Sequence, residues 1–375
     1  MSPRNPSIPV DVPNWPSRPR PLNLRRPRNT RNTLSSRSPL DFRGPAHPRP
    51  AARTVALTLA AGLALAGCAG TGGGTSAVAD PVGAHPVVAG GQAQGVLDRV
   101  QAAAGAAAKA PDPASLGPRV VGPEQTVLAA GLKLPAAQRP AGPAADVAWQ
   151  RLLVPSRSGW PRWFVAAGTA TGRTTPVLWV LSSQDARTPY GLWGELLMLP
   201  GAQLPEVAKA GVGAPELPPD ATGLLVSPKD VAARYADLLA NGNASPYAKT
   251  FAQDAFRDQV LRRLAGDRVQ LQQLQGTATD EHAVQGQPLA LRTADGGALV
   301  IVALTETYTA KVSSSAGSVK VNDPLVAALA GTGSFSNQLV QTSAELVAFT
   351  VPPASAGGLV QVIAAAKGHV SAAAS

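Results

Sequence analysis

Thirteen consecutive residues, Thr54 to Ala66, carry no charge, and Cys68, the single cysteine of the 375-residue chain, stands just beyond them. Crossing about 30 Å of hydrocarbon takes about 20 apolar residues, so this run is too short to span a membrane. With Arg49 and Arg53 ahead of it, it fits the apolar region of an export signal. One cysteine permits no internal disulfide and no Cys-based zinc site.

The run ends in Leu65-Ala66-Gly67-Cys68, a tetrapeptide that resembles the lipobox of bacterial lipoproteins. The resemblance implies diacylglycerol transfer to the Cys68 thiol and cleavage between Gly67 and Cys68. The mature chain would then be lipid-anchored on the extracytoplasmic face of the cell membrane. Two acyl chains anchor a protein stably, whereas one holds it only marginally.

Residues 1–53 hold 11 Arg against Asp11 and Asp41 and are rich in Pro, a composition that predicts disorder. The segment exceeds what an export signal needs. Either translation starts downstream of Met1, or a basic extension meets anionic lipid before cleavage. From Cys68 onward, 14 Arg and 8 Lys face 21 acidic residues. The mature part is nearly neutral, which gives no basic patch for nucleic acid. The expected partners are the membrane, through lipid on Cys68, and an envelope protein or small ligand.

Residues 68–119 are Ala, Gly, Pro and Thr with few large side chains and read as a flexible tether, in which Gln92–Lys109 has weak helical character. Residues 120–226 read as a first domain. Pro123–Leu132 suits a helix, and Trp163–Thr171, Val177–Leu181 and Gly191–Leu199 suit strands. Five of the six Trp, at 149, 160, 163, 179 and 193, fall in this region and read as core. The segment Gly159–Pro200, with Pro161-Arg162-Trp163-Phe164 near its start and Leu199-Pro200-Gly201 at its end, resembles uncharacterised actinobacterial lipoproteins. That resemblance brings no catalytic residue with it.

Residues 227–375 read as a second domain. Ser227 caps a helix with Pro228 first inside it and Gly242 after it. A further helix is expected over Thr250–Ala265, stopped by Gly266. Strands are expected over Val269–Leu274, Pro288–Arg292, Ala298–Val312, Leu346–Val351 and Leu359–Ala364, with a hairpin turn at Asp295-Gly296-Gly297. The fold class is α+β, with helices packed on antiparallel sheets in two small cone-like domains. The element order resembles nuclear-transport-factor-2-like domains, with cystatin-like folds as near neighbours.

Candidate chemistry is sparse. There is no His-Glu-x-x-His, no Gly-x-Ser-x-Gly elbow and no Ser-x-x-Lys in the folded part. Asp280-Glu281-His282 is the one tight titratable cluster. Its Gly- and Thr-rich flanks read as a solvated loop. Asp254, Arg257, Arg262, Arg263, Asp267 and Arg268 read as a solvated helix face. No catalytic, cofactor or metal residue is assigned. The function these features favour is a non-catalytic binding or interaction module of the envelope. The alternatives are an enzyme with a pocket in a nuclear-transport-factor-2-like cone, or a structural accessory subunit.

Overall fold

The computed structural model describes residues 84–107, 116–144, 146–313 and 317–375. Leu65, Ala66, Gly67 and Cys68 lie outside the described residues. The fold is α+β, with five α-helices and one large antiparallel sheet among the described residues.

In the first half, helices α1 (Gly90–Ala107) and α2 (Gly122–Gly131) precede strands β1 (Val147–Leu153), β2 (Arg162–Ala170), β3 (Val177–Ser183) and β4 (Gly191–Met198). In the second half, helices α3 (Pro228–Asn241) and α4 (Ala255–Gln272) precede β5 (Thr277–Arg292), β6 (Ala298–Lys311), β7 (Gln338–Val351) and β8 (Gln361–Ala374), with the short helix α5 (Pro324–Ala330) between β6 and β7. Each half is thus a helix pair followed by a four-strand meander. The strand order across the sheet is β1-β2-β3-β4-β8-β7-β6-β5. The two meanders meet through their last strands, with Met198 opposite Ala364 and Leu197 opposite Ala365.

The expected division at residues 226 and 227 is therefore crossed by the sheet itself. One face shares a single core cluster drawn from both halves, with Trp163, Leu178 and Leu196 beside Ile301, Leu346 and Ile363. Within the stretch expected as tether, α1 is a packed helix. It buries Ala93, Leu97, Val100 and Ala104 against the side of the sheet that carries Phe164 and Trp179. Its Ala-rich face is thin but sufficient where large aromatics supply the opposing volume. Trp163 and Trp179 are core, as expected, and Trp149 and Trp193 pack on its margin.

Helix α3 begins as its sequence dictates, with the Ser227 hydroxyl accepting from the Asp230 amide and Gly242 following the last turn. Helix α4 differs from expectation. Its cap is Asp254, which accepts from the Arg257 amide at 2.8 Å, and the helix runs through Gly266 to Gln272. The expected strand at 269–274 is mostly its last turns. Phe256, Val260, Leu264 and Leu271 are buried along its length, and this packing outweighs the roughly 1 kcal/mol cost of one helical glycine. The helix stops where Gln275 takes a positive φ and the Gly276 amide returns to the Leu271 carbonyl.

Candidate functional site

Side chains directly opposite each other in an antiparallel pair share a face. Pairing in the second half sets His282 of β5 opposite Glu306 of β6, Glu306 opposite Ser343 of β7, and Ser343 opposite His369 of β8. Asp280 faces Tyr308, which faces Gln341; Glu345 faces Lys367. These rows form a polar band on the sheet face beneath the helices. An apolar cluster around Tyr235, Phe256 and Phe349 flanks it on one side, and one around Leu264, Leu271 and Phe335 on the other.

Six of these charges close into a ring of alternating sign. Arg263 of α4 donates through Nη2 to Asp280 Oδ2 at 2.6 Å and to Glu306 Oε1 at 2.5 Å. Lys367 donates to Glu306 and lies 3.3 Å from Glu345 Oε1. His282 Nδ1 is 2.9 Å from Glu345 Oε2, and its Nε2 is 3.9 Å from Asp280 Oδ2. The side chains of Asp280, His282, Glu306 and Glu345 are wholly buried. The Arg263 guanidinium also stacks 4.8 Å from the Tyr308 ring centroid. On the adjoining rows, His369 Nδ1 is 2.8 Å from Gln341 Nε2 and 3.0 Å from Ser343 Oγ.

Burial and mutual charge displace the titrations. Burial, with Glu306 adding to it, pushes Asp280 up to about 7 against the pull of Arg263 and Lys367. Burial alone would raise Glu306, but Lys367 and Arg263 hold it well below the usual carboxylate range. Burial would lower His282, yet Glu345 and Asp280 raise it. His369 goes the other way, and burial brings it down to about 4.

These placements correct two expectations. Asp280-Glu281-His282 is in β5, where pairing with β6 carries Asp280 and His282 inward and leaves Glu281 exposed. On α4, Arg262 is exposed as expected, but Asp254, Arg257, Arg263 and Asp267 are buried. Asp254 accepts from the Tyr235 hydroxyl at 2.9 Å, and Arg268 donates to the Ala278 carbonyl. Glu306, Glu345 and Lys367 were not signalled by any motif. The signal available was parity: Glu306 alternates in phase with Val302, Leu304, Tyr308 and Ala310, all buried.

A groove of about 680 Å³ lies elsewhere, between α1 and β1. Gln94, Asp98, Gln101, Gly105, Val147 and Trp149 line it. The Trp149 indole donates to Gln101 Oε1 at 3.3 Å and meets Trp179 edge-on at 4.9 Å. Asp98 is its sole titratable lining residue among the described residues.

The protein family described as a domain of unknown function, DUF8094, matches residues 84–374. An uncharacterized lipoprotein of Streptomyces avermitilis is 31% identical over 182 residues, 48% of this chain and 52% of the relative. An uncharacterized lipoprotein of Streptomyces coelicolor is 32% identical over 217 residues, 56% of this chain and 64% of the relative. The match thus spans about half to under two-thirds of each of these relatives. No solved structure matches.

Proposed function

This chain belongs to the DUF8094 family, and we propose that it is a lipoprotein of the cell envelope, anchored through Cys68, whose folded unit binds a partner without transforming it. The relatives bearing the name lipoprotein support the first half of this reading, as does the tetrapeptide at Leu65, Ala66, Gly67 and Cys68. The folded unit then sits on the extracytoplasmic face.

One observation carries the second half. The densest cluster of titratable groups is locked in the interior ring, while the concave surface between α1 and β1 offers amides, small residues, an indole and a single carboxylate, Asp98. Such a surface suits recognition, and catalysis needs convergent titratable groups within a cleft. The groove also lies on α1, the first helix of the described residues, at the end of the folded unit nearest the anchor in sequence.

The test compares membrane retention under high salt with that of Cys68→Ser. A nearly neutral mature chain anchored by lipid stays on the membrane in high salt, while Cys68→Ser appears in the soluble fraction or as uncleaved precursor. Release of the wild type by salt alone rules the anchor out.

A further inference from the structure

The polar band holds more carboxylate than its permanent cations neutralise. Asp267, Asp280, Glu306 and Glu345 stand against Arg263 and Lys367, a deficit of one positive charge with His282 charged as in the ring, and of two once His282 gives up its proton to an ion. Asp280 Oδ1, His282 Nε2 and Glu306 Oε2 are buried and make no hydrogen bond. Donor atoms of these three residues, one from each, lie within 4.8 Å of one another. A buried polar atom without a partner is costly and marks a place where something is missing from the count.

We propose that Asp280, His282 and Glu306 bind a divalent cation of the zinc class, with Glu345 as the positioning residue that orients His282.

The bonding pattern leaves room for the ion. Arg263 and Lys367 use Asp280 Oδ2 and Glu306 Oε1, which leaves Asp280 Oδ1 and Glu306 Oε2 as the oxygens for an ion, with the Arg263 and Lys367 contacts adjusting as the side chains turn. Glu345 takes the Nδ1 side of His282 at 2.9 Å, which leaves the Nε2 lone pair directed into the cluster. A carboxylate behind a histidine is the common outer support of a metal-bound imidazole, and it fixes the tautomer. One imidazole with two carboxylates suits zinc or manganese better than calcium, which takes oxygen ligands almost exclusively. Two positive charges cancel the deficit.

Bonds of about 2.1 Å place tetrahedral donors about 3.4 Å apart, so binding draws the three side chains inward by rotation about their χ angles. His369 of β8 and Asp323, the N-cap of α5, lie 4.0 Å apart and stay outside the set; His369 is already engaged by Gln341 and Ser343. Entry is feasible because β5 is the edge strand of the sheet, and edge strands open more readily than central ones.

The test uses the full chain in detergent, stripped with chelator, incubated separately with Zn²⁺ and with Mn²⁺, desalted and assayed for bound metal by mass spectrometry. The expected result is about one equivalent of one of these ions per chain, with a raised Tm. Asp280→Asn and His282→Gln lose at least tenfold in metal affinity. Glu281→Gln, on the exposed face, retains the wild-type value. Glu345→Gln binds the same stoichiometry with roughly 10- to 100-fold weaker affinity. A desalted wild type carrying neither ion overturns the site, whatever the variants do. So does binding that persists undiminished in His282→Gln.

Discussion

His282 on β5 reaches past β6 to Glu345 on β7, and the 2.9 Å contact between its Nδ1 and Glu345 Oε2 closes a ring of six charged side chains. The ring ties the four adjacent strands β5 to β8 and α4 to one another in a polar band flanked on both sides by apolar clusters. An ion pair in such a place contributes little over a well-packed apolar substitute. It is expensive to break from one side, because the remaining charge is left buried and alone.

That asymmetry gives the first prediction. Arg263→Ala strands Asp280 and Glu306 and lowers the unfolding free energy by about 3–5 kcal/mol. The combined change Arg263→Met, Asp280→Asn, Glu306→Gln removes the stranded charges and recovers part of that loss. Urea melts of the three proteins measure both. A triple variant less stable than Arg263→Ala alone would contradict the assignment of the cost to unpaired charge.

Acid stability tests the neighbouring row. His369 Nδ1 accepts from the Gln341 amide, so a proton placed there meets a donor. Burial accordingly lowers its pKa from 6.5 to about 4. Because the folded value is depressed, the full contribution is present above about pH 6.5 and is lost as the pH falls toward 4, with an upper bound of about 3 kcal/mol. Asp280, raised to about 7, acts in the opposite direction over an overlapping window. The difference between the wild type and His369→Gln isolates the histidine. Chemical melts from pH 7 to pH 4 should show a shallower acid slope for His369→Gln once Asp280's share is held common, and equal slopes would refute the buried neutral imidazole.

Packing between the halves offers a third check. A Cβ added at Gly368 of β8 would stand 2.3 Å from Val127 Cγ1 on α2. Gly368→Ala is therefore overpacked and costs about 1–3 kcal/mol. Val127→Ala removes the obstructing methyls, so in a double-mutant cycle the two changes couple favourably. Simple additivity of the two losses would show that α2 does not rest on β8 as described.

The groove makes a positional prediction. A photo-crosslinking residue placed at Gln94, in the groove wall between α1 and β1, yields a discrete adduct in intact cells. The same residue at Val269, exposed on α4, yields none. Matching adducts from both positions, or none from Gln94, would remove the groove from the account.

Much of the fold was legible because it is written in local signals. Ser227, Pro228 and Gly242 bracket α3, and Asp295-Gly296-Gly297 turns β5 into β6, with Gly296 at positive φ. What local signals could not carry was register. Asp280 and His282 look solvated in sequence because Gly- and Thr-rich stretches flank them. Only pairing with Tyr308 and Glu306 decides which parity faces inward. The same holds for α4, where Gly266 suggests a stop and the burial of Leu271 against the sheet overrides it. The join of the two halves through β4 and β8 rests on two opposed residue pairs of a long-range contact, with no turn or cap to announce it.

The account rests on lipid at Cys68, and intact mass analysis of the membrane-extracted protein tests it most directly. The predicted N-terminal peptide begins at Cys68 and carries the mass of a thioether-linked diacylglycerol. An unmodified Cys68, or a mature chain beginning elsewhere, would contradict it.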